Sequence, residues 1–225
     1  MNNKYEFTGK TKVAFGRTLH QIRAIAAFGS VVCGQIGGWI EDDRNLAISG
    51  DAWVSDNARV YGDARVYGDA QVYGNAWISG AAQVYGAARV YYNAQVSGDA
   101  QVYDDAEVHG AAWVSHSARV YGAAQVFGAA QVYDDAAISG DARIYRSAQV
   151  HGAARVYDDA EVYDDAEVYD DARVFGDARI HGDAQVYGDA WVHDDAEVSD
   201  NAQVSGDADV SDTTRVHGDT QVSGL

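Results

Sequence analysis

The chain has 225 residues, 47% of them hydrophobic, with one Cys, no Pro and a formal net charge of -18. It is long enough to bury a sizeable core, and its acidity opposes direct contact with nucleic acid or an anionic membrane. The lone Cys33 excludes an intrachain disulfide and fits a reducing compartment.

The N-terminal MNNKYEFTGK lacks the apolar stretch of a signal peptide. No apolar run approaches the roughly 18 residues of a membrane span. A cytoplasmic location is expected. Residues 1–47 read as a capping segment. Strands or short elements are expected at Tyr5–Phe7, Lys12–Phe15, Leu19–Ile25 and Val31–Ile40, with turns at Gly34, Gly37 and Gly38. Trp39 and Leu46 are the expected plugs of whatever follows.

From residue 48 to 225 the sequence is periodic. Val or Ile recurs every six residues from Ile48 through Val54 and Val60 to Val222, thirty positions without an insertion. A small residue lies four after each, as Ala52, Ala58 and Ala64 do, becoming Thr only at Thr214 and Thr220. In a triplet such as Ala64-Arg65-Val66 the first and third side chains of a strand point the same way. The intervening Gly62-Asp63 pair tolerates positive φ and forms a turn. A short strand plus a turn every six residues draws a polygon, and stacked polygons make a solenoid.

This pattern resembles the hexapeptide repeat of left-handed parallel β-helix proteins. The resemblance implies an all-β, three-sided solenoid with three hexads per coil, about ten coils stacked at about 4.8 Å behind a small β-rich N-terminal cap. The second hexad position departs from the family, being mostly Tyr, Ser or His where a small residue is common. Members are commonly trimers, so the resemblance also implies a homo-oligomer. GRTLHQIRAI and GQIGGWIEDDRNL are similar to the N-terminal segment of phage- and prophage-encoded hexapeptide-repeat proteins, which implies a mobile-element origin.

Eighteen-residue spacing turns the sequence into a surface map. Tyr67, Tyr85, Tyr103 and Tyr121 form one row, continued by Ser139, Tyr157 and Phe175. They shield the strands, pack against a second rod, or bind planar ligands such as sugar rings. Another face alternates in sign through Arg143, Glu161, Arg179, Glu197 and Arg215, a ladder of surface ion pairs. The third presents Trp77 and Trp113 about 10 Å apart beside Ser79, Ser97 and Ser115.

Residues 48–225 hold thirty acidic and ten basic side chains. Asp141, Asp159, Asp177 and Asp195 fall at one corner, Asp165 and Asp183 at another, Asp171, Asp189 and Asp207 at the third. Turn chemistry, calcium binding by stacked carboxylates and charge display all fit them. The densest coil carries Asp158, Asp159, Glu161, Asp164, Asp165, Glu167, Asp170 and Asp171.

Many proteins with this repeat are acyltransferases, with a loop interrupting the hexads and a catalytic His near a subunit interface. Here no hexad is interrupted, and the histidines stand at outward or corner positions, mostly in place of Tyr. No catalytic residue, metal or cofactor is expected. The expected function is non-catalytic: a rigid acidic scaffold for a protein partner, with a nucleic-acid-mimicking decoy for a basic host protein as its sharpest form. The alternatives are a carbohydrate-binding or virion fibre module using Trp77, Trp113 and the Tyr67 row, and an acyltransferase-like enzyme.

Overall fold

The structure is a computed structural model describing residues 3–224. Two longer strands open it. β1 (Tyr5–Ala14) and β2 (Arg17–Ala24) form an antiparallel hairpin, and β3 (Ile36–Ile40) adds antiparallel to β2. A 3₁₀ turn follows at Asp43–Asn45. Twenty-nine strands of two or three residues then run from β4 (Trp53–Val54) through β5 (Arg59–Val60) to β32 (Gln221–Ser223). Every one of them pairs in parallel with strands one coil away, as Gln125 does with Glu107 and Arg143.

Three sheets result. Face I is thirteen-stranded and includes the hairpin, because β3 pairs with β2 on one edge and with β5 on the other. Face II has nine strands, starting at Arg65–Val66, and face III has ten, starting at β4. The fold is an all-β, three-sided parallel solenoid of about ten coils, and the 18-residue map holds in every ladder from β4 onward, whereas β3 meets β5 with Trp39 opposite Arg59. Among the described residues no helix is long and apolar enough to cross a membrane.

The interior is filled by two residue types. From Val54 to Val204 every inward Val or Ile is fully buried, and so is the Ala that precedes it by two. Hydrogen bonds run along the stack: Gln125 N donates to Ala142 O at 2.9 Å, Phe127 N to Ile144 O at 2.9 Å, and Ala129 N to the corner carbonyl of Arg146 at 2.6 Å. With the corner peptides also paired, few backbone groups are left to water.

Each corner turns through one residue of positive φ. Gly takes that place at many corners. Twelve are non-Gly, among them Asp56, Asp104, Asp158, Asp164 and Asp170 at 56° to 62°. Asp tolerates this region better than most residues. At Gly140 (φ 67°) close approach adds to the requirement, since a Cβ would stand 2.7 Å from the backbone N of Asp158.

The start of the solenoid differs from the expectation in three ways. Ile48, read as the first inward aliphatic, is 51% exposed. Leu46 is fully buried in its place and bridges Val66, because the segment between Leu46 and Val54 is two residues longer than a hexad allows. Trp39 does not plug the first coil. It faces outward on face I, opposite Arg59, with the Lys12 ammonium 4.2 Å from its ring. Burial there pushes the Lys12 pKa down to about 8, with Arg59 adding to the shift. The first coil is covered instead by Tyr5, Ile22, Ile40 and Trp53, with Phe28 edge-on to the Trp53 ring at 5.5 Å. At the other end Val216 is buried, Val222 only partly, and Thr214 and Thr220 are exposed.

Candidate binding surfaces

Outward side chains at the second hexad position stack into columns. On face II the rings of Tyr67, Tyr85, Tyr103 and Tyr121 lie parallel at 4.8 to 4.9 Å, as expected. The column breaks at Ser139 and resumes with Tyr157, Phe175 and His193. A longer column, not singled out from the sequence, lines face III: Tyr73, Tyr91, His109, Phe127, Tyr145, Tyr163 and His181, seven rings in unbroken contact. Eighteen-residue spacing would have found it too.

These rings are half-buried, and four of their hydroxyls, on Tyr67, Tyr85, Tyr91 and Tyr145, are used inside the fold. Tyr67 donates to Gln83 at 2.9 Å, and Tyr91 and Tyr145 donate to Glu107 and Glu161 at 3.0 and 3.2 Å. Burial raises the phenol pKa of Tyr67, Tyr85 and Tyr103 on face II and of Tyr73 and Tyr145 on face III, to about 12 at Tyr145, where Glu161 adds to it. Burial also lowers the pKa of His109, held between Tyr91 and Phe127, against an opposing pull from Glu107. Between the depressed folded pKa and the ordinary unfolded one, the unfolded chain holds more protons, so stability rises with pH through that window. His109→Phe, which copies Phe127 in the same column, is expected to lose less Tm than the parent between pH 7.5 and pH 5.5. Equal losses in melts of both proteins would show that His109 is not strained by protonation.

The acidic residues divide by role. Glu161 is engaged twice, by Arg143 at 3.3 Å and by Tyr145. Glu107 and Glu197 are held in the same way, by Arg89 and Tyr91 and by His181 and Arg215. The hydrogen bond from His181 lowers the Glu197 pKa, with Arg215 adding to it. Two pairs of the alternating ladder therefore form, Arg143–Glu161 and Glu197–Arg215, with Arg89–Glu107 a third pair earlier on the same face. Asp164 pairs with Arg146, and Glu167 accepts from Gln185 at 3.5 Å.

Asp158 and Asp170 occupy positive-φ corners, where their carboxylates accept from Gly176 N and Gly188 N of the next coil, each at 3.4 Å. Asp159, Asp165 and Asp171, one position further, are exposed and their carboxylates have no hydrogen-bond partner among the described residues. The densest coil thus presents three free carboxylates, one at each corner, and five that the fold already uses.

The two tryptophans of face I are not equivalent. Trp77 is covered by Phe15 at the hairpin tip, edge-on at 4.5 Å, with the Arg59 guanidinium at 5.2 Å. Trp113 is 41% exposed, and its indole N–H donates to Ser97 at 3.2 Å. The Tyr67 column is on a different face from both, so the three do not form one platform. No group of three or more metal-ligating side chains is present among the described residues.

Uninterrupted coils with inward Val and Ala and stacked outward columns define a β-solenoid repeat protein. A family model described as YdcK beta solenoid repeat matches four stretches of the coils, residues 58–70, 70–86, 138–152 and 166–182, and in those the chain is similar to that repeat. No curated protein matches the chain.

Proposed function

We propose that the protein is a non-catalytic scaffold whose C-terminal coils bind a basic protein partner by displaying rows of carboxylates in place of nucleic-acid phosphates. One observation carries this reading. At the second corner position after face II, Asp141, Asp159, Asp177 and Asp195 follow one another on successive coils, while Ala87 and Ala123 occupy the same place with the same turn. The turn does not require Asp there, and the four carboxylates find no partner among the described residues. A row of like charges about 4.8 Å apart is retained against its own repulsion.

The spacing suits mimicry. One duplex strand carries a phosphate every 3.4 Å or so along the axis. The charge is also polarised: residues 134–225 hold twenty-two acidic and six basic side chains, against eight and four in residues 48–133. The resemblance of the N-terminal segment to phage-type proteins supports a partner of the basic, nucleic-acid-binding kind in a host cytoplasm.

The test uses four substitutions to Ala, at Asp141, Asp159, Asp177 and Asp195, each already precedented in the column. Their Tm should stay at or above that of the parent. Nucleic-acid-binding proteins retained from bacterial lysate on the immobilised parent, and eluted by salt because screening weakens such contacts, should be lost from the variant. Retention of the same proteins by both would overturn the proposal.

A further inference from the structure

The face II column is missing one ring. Tyr121 and Tyr157 belong to coils on either side of Ser139, so their rings stand two coil spacings apart, about 10 Å. Elsewhere in the column that distance is occupied by a third ring stacked at about 4.8 Å on each neighbour. In the same coil the adjacent outward position is Ala137, the one Ala in a ladder otherwise composed of Arg, Gln, Trp and Asp. Two shortened side chains, side by side, open a notch of about 240 Å³ lined by Tyr121, Ala137, Ser139, Arg155, Tyr157 and Arg173.

Its charge is unlike the rest of the molecule. The strand register puts Arg119 and Arg155 on either side of Ala137, and Arg173 next to Arg155. Among the described residues none of these three forms an ion pair, whereas Arg89, Arg143 and Arg215 of face III all pair with glutamates. Arg173 lies over the Trp191 ring at 5.0 Å. On a chain with a net charge of -18 this is a local cluster of unneutralised guanidinium groups beside an open aromatic slot.

A longer small-residue break, Ser79 to Ser115 on face I, is closed differently. Trp113 lies against Ser97, and Phe15 covers the Trp77 end. At Ser139 no large neighbour fills the gap.

We propose that this notch is a binding site for a planar aromatic ring carrying an anionic group. The ring takes the vacant place between Tyr121 and Tyr157, where two faces are preset at stacking distance by the coil spacing. The anion, a phosphate, sulfate or carboxylate, lies outward over the Arg column, where planar guanidinium groups offer bidentate donors. The site borders the carboxylate row of the proposed function, since Asp141 and Asp159 lie two residues beyond Ser139 and Tyr157, but it uses none of those carboxylates and is tested without them.

Phenyl phosphate is the probe, followed by NMR of the tyrosine rings. Saturable shifts at Tyr121 and Tyr157, with a Kd of about 1 mM or tighter, are expected. Phenol, without the charge, and cyclohexyl phosphate, without the flat ring, should each bind about 10-fold more weakly. Ser139→Tyr restores the column that the neighbouring coils already build, so it should fold with an equal or higher Tm while losing phenyl phosphate binding. Arg155→Gln should weaken phenyl phosphate and leave phenol unchanged. Three outcomes would overturn the proposal: no saturable shift, equal binding by Ser139→Tyr, or equal binding of cyclohexyl phosphate, which would reduce the site to a patch of charge.

Discussion

Removal of Ala88–Asp105, one complete coil, leaves a folded solenoid whose Tm stays within about 5 °C of the parent. Ala87 then runs into Ala106, which occupies the same place in its hexad as Ala88. Gln71 meets Glu107 in the ladder instead of Arg89, Tyr85 stacks on Tyr121, and every inward position is still Val, Ile or Ala. A coil contacts only its neighbours, so the loss is one nearest-neighbour term and the core of one layer.

Removal of five residues, Ala88–Tyr92, has a far larger effect. It brings Asn93 and Gln95 to the places of Ala88 and Val90, both of which are fully buried. The chain must either bury two amides without partners or tear a corner out of the stack. A Tm loss of about 10 °C or more, or a melt split into two transitions, is expected by calorimetry. Equal stability of the two deletions would show that coil closure is not what holds the hexads in phase.

The eighteen-residue register was legible because the inward residues announce it. Only Val, Ile and Ala fit inside, they alternate by two and four, and no insertion disturbs the count. Once three sides are assumed, the Tyr67 column and the Arg143–Glu161 pair follow from arithmetic. The start of the stack was not legible. Leu46 replaces Ile48 through a two-residue lengthening that leaves no mark in the local pattern, and both residues are aliphatic.

The fate of Trp77 was hidden for another reason. Phe15 reaches it from a hairpin 62 residues away in sequence, and no periodicity links the two. The acidic coil lay between these cases. Its charge count was plain, but only the corner geometry separates the Asp158 carboxylate, tied to Gly176 N, from that of Asp159, which has no partner among the described residues. Ser139 was visible as a gap in the column. Its meaning came from Ala137 and the unpaired arginines beside it.

The interior leads to a second large effect. Ile144→Ala should cost about 3–5 kcal/mol, in the upper part of the range for such truncations. The spread in that range reflects how far surrounding structure can collapse into the hole. Here it can do so very little. Ile144 sits in its ladder between Val126 and Val162, and the wall around it is three strands whose N–H and C=O groups are fixed to the coils above and below. Moving any side of the triangle inward would break those bonds in two neighbouring layers.

The cavity therefore persists, and Val126 and Val162 lose packing with nothing to replace it. A Tm lowered by about 6–15 °C is the expected reading. Ala142, the fully buried small residue of the same triplet, gives the complementary test. Ala142→Leu has no space to enter and should cost about 1–3 kcal/mol. If instead Ile144→Ala costs under about 1 kcal/mol, the coils can contract, and the rigid-wall account of the core is wrong.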